Sequence, residues 1–470
     1  DSLYEYLYRR IRADILEGRI RAGERLPSKR SFAKNLGVST VTVESAYAQL
    51  AAEGYIRSVP RSGYYVSKID QTLLTPARCA PSQAEEQSQP GSEGPPERGG
   101  TGKGNVIDLV SGSMDPAQFP FTIWAKLMRE VLSGRREELM TRAPGGGVPE
   151  LRQAIADYLL QYQGIRVNRE QVIIGAGTEY LYGLLIQLLG QDKVYALEDP
   201  GYEKVTRVYQ SHLVKTAYIP MDGEGVRVDR LRESGADIMH ISPSHHFPTG
   251  VTTPIGRRYE LLGWAGEAPG RYIIEDDYDC EFRLAGRPIP SVQSIDRQGR
   301  VIYMNTFTKS LTATIRISYM VLPQGLLHDF AAKLGFYSCT VSNFEQYTLA
   351  EFIGKGYFEK HINRMRNYYR GKRDALLNAM EESPLGELAA VRGADAGLHF
   401  LMEVKTGMTD EELVRRAAGQ GVRISCLSQY CHGAVPRGEV CGNVIINYPG
   451  LPAGQEAETV RRLYLACCET

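Results

Sequence analysis

Between residues 71 and 104 the chain loses every hydrophobic period. The stretch is rich in Pro, Gly, Ser, Gln and Glu, as in S-Q-P-G-S-E-G-P-P-E-R-G-G-T-G-K-G. Such a composition buries too little apolar surface to offset the entropy of ordering. As flexible coil it spans about 30 Å root-mean-square, enough to set two domains side by side or to reach across a dimer. The 470 residues therefore divide into a head at 1–70, a linker at 71–104 and a body at 105–470, each folded unit with its own core. Charge divides the same way. Residues 1–70 hold 12 Lys and Arg against 8 Asp and Glu, and the remainder is correspondingly acidic, so the chain is neutral as a whole. That asymmetry suits a basic reader on a mildly acidic body. The eight cysteines show neither C-x-x-C nor zinc spacing, so reduced thiols in a cytoplasmic protein are expected and no metal site is. No run of 18 apolar residues is present, and no membrane span is expected.

In the head, Leu3, Leu7, Ile11, Ile15 and Leu16 recur on one helical face over Ser2–Gly18. Ser28 suits the N-cap of a short helix ending near Asn35. Leu36-Gly37-Val38-Ser39 is a tight turn, and Ser39 or Thr40 caps a helix to about Glu53. Its expected apolar face is Val41, Val43, Ala46, Tyr47 and Leu50. Two short helices across a glycine turn form a helix-turn-helix. Residues Arg57–Ser67 then fold back as a hairpin wing, with Arg57 and Arg61 placed for phosphates or a minor groove.

From Val106 strands and helices alternate. Apolar strands are expected at 172–174, 193–198, 236–242, 271–275 and 301–304, which argues for a mostly parallel sheet covered by helices. The turn Gly175-Ala176-Gly177-Thr178 opens a helix and offers backbone N–H groups to a phosphate. Asn305–Arg316 (N-T-F-T-K-S-L-T-A-T-I-R) delivers Lys309 into a hydroxyl-rich loop closed by Arg316. The lysine can form a Schiff base, while hydroxyls and guanidinium hold a phosphate. Pyridoxal 5′-phosphate is the cofactor that carries both groups. Asp276, at the end of the strand Tyr272-Ile273-Ile274, could keep its pyridine nitrogen protonated, and Tyr278 could bond the phenolic oxygen; a solvated acidic loop would show the same letters. After Pro323 the chain is helical, with one long helix over Tyr357–Met380, and ends in a smaller α+β domain with strands at His399–Glu403 and Val444–Asn447.

The whole of the first 68 residues resembles the GntR-type winged helix-turn-helix, from L-Y-E-Y-L-Y-R-R-I-R-A-D-I-L-E-G to A-A-E-G-Y-I. That resemblance implies that helix Thr40–Glu53 enters the major groove, with Arg25, Ser28, Arg30, Ser39, Thr40 and Thr42 at DNA. Residues 106–465 resemble the fold-type I aminotransferases through E-D-P-G-Y (198–202), S-P-S-H-H-F-P-T-G (242–250), E-D-D-Y-D-C-E-F (275–282) and the Lys309 stretch. This second resemblance implies a Schiff-base Lys309, Asp276 on the pyridine nitrogen, Tyr278 near the phenolic oxygen and Tyr202 stacked on the ring. It also implies a phosphate cup of Ala176, Gly177, Thr178, Thr306, Thr308 and Arg316. Head and body together resemble the MocR family of bacterial regulators. The family implies a homodimer, with the head of one subunit on the body of the other, that binds double-stranded operator DNA and senses the cofactor or an amine effector through it.

Three positions depart from the aminotransferase pattern. Phe247 stands where asparagine is usual before P-T-G. Ile445 occupies the place of the carboxylate-gripping arginine, and Arg142 that of a partner-subunit tyrosine. Lys204 and Arg207, just after Tyr202, are candidates for an effector carboxylate, though a solvated helix face would carry the same residues. An aminotransferase carrying a DNA-binding head is the alternative function. Loss of the usual arginine argues against efficient turnover, which needs the scissile bond held in one orientation.

Overall fold

The structure, a computed structural model, describes residues 3–59, 62–67, 106–112, 114–284 and 289–468. The expected linker at 71–104 and the wing residue Arg61 lie outside the described residues.

The head consists of helices Leu3–Leu16, Lys29–Leu36 and Thr40–Ala52 and an antiparallel hairpin, Ile56–Val59 with Gly63–Val66. Local chemistry fixes its turns. Ser28 Oγ accepts from the N–H of Ser31 at 3.2 Å, and Ser39 Oγ accepts from Thr42 at 3.0 Å, so Ser39 is the cap of the third helix. Gly37 closes the second helix at φ 65°, a left-handed conformation that favours glycine. Leu7, Ile11, Ile15, Ala33, Val43, Ala46, Tyr47 and Leu50 fill the core. One expectation fails: Val41 is 70% exposed. At 100° per residue it lies opposite Val43, and the buried stripe runs through 43, 46, 47 and 50 instead.

The body is built on an eight-stranded sheet in the spatial order 172–175, 318–321, 301–306, 272–276, 238–241, 194–199, 215–222, 225–226. Strands 301–306, 272–276, 238–241, 194–199 and 215–222 are parallel neighbours. Ser318–Val321 runs antiparallel between 301–306 and 172–175. This strand and Lys215–Asp222 were not expected from the sequence. All four residues of the first are buried, so it has no alternation; in the second only Ile219 is buried, and Pro220 interrupts the apolar pattern. The long helix Tyr357–Glu381 leads into a four-stranded sheet formed by 389–392, 399–404, 443–447 and 425–426. Ile107–Asp108 pairs with Val422–Arg423, so the start of the body is tied to its last domain.

The head packs against an aminotransferase-type body, the kind of contact that the family resemblance implied between subunits. Its core is continuous with Val226, Val228, Leu231, Ile255, Tyr259 and Trp264. The Ile255 N–H donates to the Glu53 carbonyl at 2.9 Å. Glu53 is 1% exposed; its carboxylate accepts from Tyr8 Oη at 2.6 Å and from Gln49 Nε2 at 2.5 Å. Burial raises its pKa despite those donors. A Cβ on Gly54 would stand 2.7 Å from Pro254 Cβ, so the close approach needs glycine there.

Candidate functional site

Strand register brings the site together. Gly175 pairs with Ser318, Ser318 with Thr306, and Met304 with Asp276. The segments 176–178, 306–309, 316–318 and 276–279 therefore meet at one edge of the sheet, beyond the carboxyl ends of its parallel strands. Open α/β sheets bind ligands at this edge.

Lys309 follows strand 301–306 and is partly enclosed. Burial lowers its pKa, and the nearby Asp279 carboxylate offsets only part of that effect. Among the described residues the ammonium has no hydrogen-bond or ion-pair partner. A lysine held this way reaches its nucleophilic, neutral form more readily than one in water.

Asp276 ends its strand 7% exposed. One carboxylate oxygen, Oδ2, accepts from Tyr182 Oη and lies 3.7 Å from His240 Nε2. The other, Oδ1, is buried without a partner. An orphaned buried carboxylate oxygen is costly, and a protonated pyridine nitrogen is a donor that would satisfy it. Tyr182 and His240 were missed in the sequence. Tyr182 stands one helical turn after Thr178, on a face already turned to the site, whereas His240 reaches Asp276 from a neighbouring strand.

Tyr278 Oη lies 3.4 Å from His245 Nδ1, and that nitrogen lies 2.9 Å from Asp279 Oδ2. Burial first, then Asp279 and Asp276, push the Tyr278 phenol well above its usual range, so it stays a donor. His399 stacks obliquely on His245 with ring centres 4.3 Å apart. Burial, then the imidazoles of His245 and His246, keep His399 well below the usual histidine range and neutral. Buried Nε2 atoms of both His245 and His399 are unpartnered. His246 sits 3.2 Å from Glu198. Both histidines of S-H-H-F are thus interior carboxylate partners, not surface groups.

At the proposed phosphate end, helix Thr178–Leu189 begins after Gly177 at φ 94°. A Cβ on Gly177 would collide with the Arg316 guanidinium. Arg316, itself at φ 50°, donates to Glu179 Oε2 at 2.8 Å. Lys204 pairs with the other oxygen of Glu179. Burial opposes ionisation of Glu179, but hydrogen bonds from Lys204, its own backbone and Arg316 outweigh it, and its pKa falls to about 2. Thr306 Oγ1 accepts from Ser318 Oγ at 2.8 Å and donates to Thr308 Oγ1 at 2.8 Å. The Ala176 N–H is already bonded to Thr340 Oγ1 at 3.1 Å. Thr178, Thr306, Thr308 and Arg316 thus share one end of the site, but its cations are occupied by Glu179. The sequence did not point to that carboxylate.

Tyr202 is 48% exposed; its ring meets Phe247 edge-on at 5.4 Å, and Phe247 in turn meets His399 and Tyr430. Asp199 fastens this wall by accepting from the N–H groups of His432, Ala434 and Val435. Arg207 is bonded to Glu203 at 2.8 Å, Arg142 to Ser338 at 2.5 Å and Arg423 to Asp108 at 2.7 Å. Ile445 is fully buried.

In the head, Arg25, Ser28, Arg30, Ser39, Thr40 and Arg57 are exposed and Thr42 is half-buried. Ser28 and Ser39 spend their oxygens on helix caps, and among the described residues Arg25, Arg30 and Arg57 have no ion-pair partner.

A winged helix with exposed arginines, joined to an aminotransferase-type body with a lysine at the sheet edge, is the architecture of a transcriptional regulator with an aminotransferase-like domain. Comparison with known proteins agrees. Residues 3–66 match the family of bacterial regulatory proteins, gntR family, and residues 104–462 match aminotransferase class I and II, proteins that normally use pyridoxal phosphate. The chain is 38% identical to the uncharacterized HTH-type transcriptional regulator YdeL of Bacillus subtilis, covering 99% of this chain and 96% of that protein. It is 33% identical to the probable rhizopine catabolism regulatory protein MocR of Rhizobium meliloti, over 94% and 90%. Among solved structures, a Pyrococcus horikoshii kynurenine aminotransferase superposes with a TM-score of 0.68 at 25% identity, covering 78% of this chain and 91% of that one. The chain belongs to the MocR-type transcriptional regulators, a GntR head fused to an aminotransferase class I and II body. No helix among the described residues is long and apolar enough to cross a membrane.

Proposed function

We propose that this regulator holds pyridoxal 5′-phosphate on Lys309 in its body (105–470), binds an operator as a homodimer through its heads (1–70), and alters its operator affinity when an amine or amino acid, or the cofactor itself, occupies the body. One observation carries the reading: an unpaired, partly enclosed Lys309 shares the sheet edge with Asp276, whose buried Oδ1 lacks a donor. When bound, the cofactor supplies an aldehyde that reacts with amines and a ring that accepts electrons. Asp276 accepts from the ring nitrogen, held there by Tyr182. Tyr278 donates to the phenolic oxygen, Tyr202 covers a ring face, and Thr178, Thr306, Thr308 and Arg316 hold the phosphate, which competes with Glu179 for Arg316; the backbone N–H groups of Ala176 and Gly177 are bonded to Thr340 and Gly175 and join only by giving up those bonds. Lys204 and Arg207 are the candidate cations for an effector carboxylate, which would displace Glu179 from the one or Glu203 from the other.

An effector shifts DNA affinity only by binding two conformations unequally. A continuous segment supports such coupling. Phe247 lines the site, and seven residues later Pro254 and Ile255 touch Gly54 and Glu53 of the head. The intervening chain is firm: the fully buried Arg258 donates to the carbonyls of Thr253 at 2.9 Å, Pro243 at 2.9 Å and Pro290 at 2.6 Å. Transamination is the second reading, favoured by the lowered pKa of Lys309, which makes it a competent base once freed. Buried Ile445, in place of a carboxylate-binding arginine, weighs against it.

The test is an absorbance spectrum of the purified protein with pyridoxal phosphate, followed by titration with a panel of amines. A long-wavelength band that one amine shifts is expected. Stoichiometric release of a keto acid would favour the enzyme; no band at all would overturn the reading built on Lys309.

A further inference from the structure

The exposed stripe of helix Thr40–Ala52 consists of Val41, Glu44, Ser45 and Ala48, opposite the buried Val43, Ala46, Tyr47 and Leu50. A β-branched residue is a weak helix former, yet Val41 stands 70% exposed in the first turn. Two of its polar neighbours are engaged elsewhere, and Thr40 stays exposed beside it. Ser39 Oγ and Thr42 Oγ1 are bonded to each other at 2.7 Å, and Ser39 also caps the helix. Glu44, the stripe's one acid, is paired through Oε1 with Lys29 Nζ at 2.5 Å, which offsets its charge toward phosphates. Ser45 and Ala48 are small enough for close approach. Arg25, Arg30 and Arg57 of the same head are exposed and carry the charge that a phosphate backbone requires.

The apolar tip of this stripe has one apolar counterpart in the major groove, the C5 methyl group of thymine. We propose that Val41 packs on that methyl group and so favours a thymine at one position of each operator half-site. Valine has no donor or acceptor, and its discrimination rests on the methyl alone. The inference rests on the DNA-binding reading given above.

The full-length protein is used to select sites from a random duplex library, and each thymine of the selected site is then replaced singly by deoxyuridine, which lacks only the methyl. One replacement per half-site is expected to weaken binding about fourfold, the transfer of one methyl-sized group out of water. Val41→Ala is expected to bind the thymine site more weakly by a similar factor and to be indifferent to that same replacement; its side chain is exposed, and an unchanged melting temperature checks the fold. A wild type that binds its selected site and tolerates every deoxyuridine overturns the inference and leaves the regulator reading standing. Full deoxyuridine sensitivity in Val41→Ala also overturns it, because another group then reads the methyl. A library that yields no bound site overturns the DNA-binding reading, and this inference with it.

Discussion

Asp276→Asn changes one atom and tests how the site holds its cofactor. In the wild type, Tyr182 donates to Oδ2 and His240 lies 3.7 Å from it, while Oδ1 is buried with no donor among the described residues. An amide keeps the shape and lets its oxygen stay with Tyr182, but it turns an N–H donor toward a ring nitrogen that must itself donate. One charge-assisted hydrogen bond disappears, worth about 1.5–3 kcal/mol. Converted to affinity, that is about a 10- to 150-fold weaker Kd for pyridoxal phosphate. Equilibrium dialysis or quenching of protein fluorescence measures it, with circular dichroism to check the fold. Affinity for DNA in the absence of cofactor is expected to be unchanged, because Asp276 lies in the body. An unchanged Kd for pyridoxal phosphate in Asp276→Asn would refute the assignment and leave the orphaned oxygen without an explanation.

Glu281 gives a pH-dependent outcome. Burial raises its pKa from 4.5 to about 7, so the folded state binds the proton more tightly than the unfolded chain, and the associated stability is lost as pH rises from 4.5 through 7. Glu281→Gln is therefore expected to stabilise the protein by about 3 kcal/mol at pH 8 and by almost nothing at pH 4, read from denaturant melts; equal effects at both pH values would contradict this. Gly54→Ala sets a Cβ against Pro254 at φ +80° and is expected to cost about 1–2 kcal/mol, seen in calorimetry as a head transition separating from that of the body. A single unshifted transition would count against the contact. Arg30→Ala and Arg57→Ala are each expected to weaken operator binding and to reduce the salt slope by about 0.9 for each phosphate left without its arginine; unchanged slopes in both would remove them from the interface.

Much of this architecture is legible in the sequence because its signals are local. The strands at 172–175, 194–199, 238–241, 272–276 and 301–306 are short apolar runs, and the helices of the head carry their own caps at Ser28 and Ser39. Phase within a helix is less legible. Val41 stands two residues before Val43 and reads as part of the same apolar face, and only the position of Val43 in the core sets it outside. The strand Ser318–Val321 is hidden because both its faces are buried. At the site, Lys309, Asp276 and Arg316 stand at strand ends where chemistry and position agree. Glu179, His240, Asp279 and His399 act through partners 30 or more residues away in most cases, and only the folded register brings them in: Asp279 to His245, His399 beside it, and Glu179 between Lys204 and Arg316.

The central claim is that occupancy of the Lys309 site is read as operator affinity. Its most direct measurement is the Kd of the full-length, pyridoxal-phosphate-loaded protein for its selected operator, across a panel of amines and amino acids, beside Lys309→Ala. One amine is expected to change the wild-type Kd by about 5- to 150-fold, the usual range of allosteric coupling, and to leave Lys309→Ala unmoved. A wild type indifferent to every amine and to the cofactor, or a Lys309→Ala protein that responds as fully as the wild type, would contradict the account.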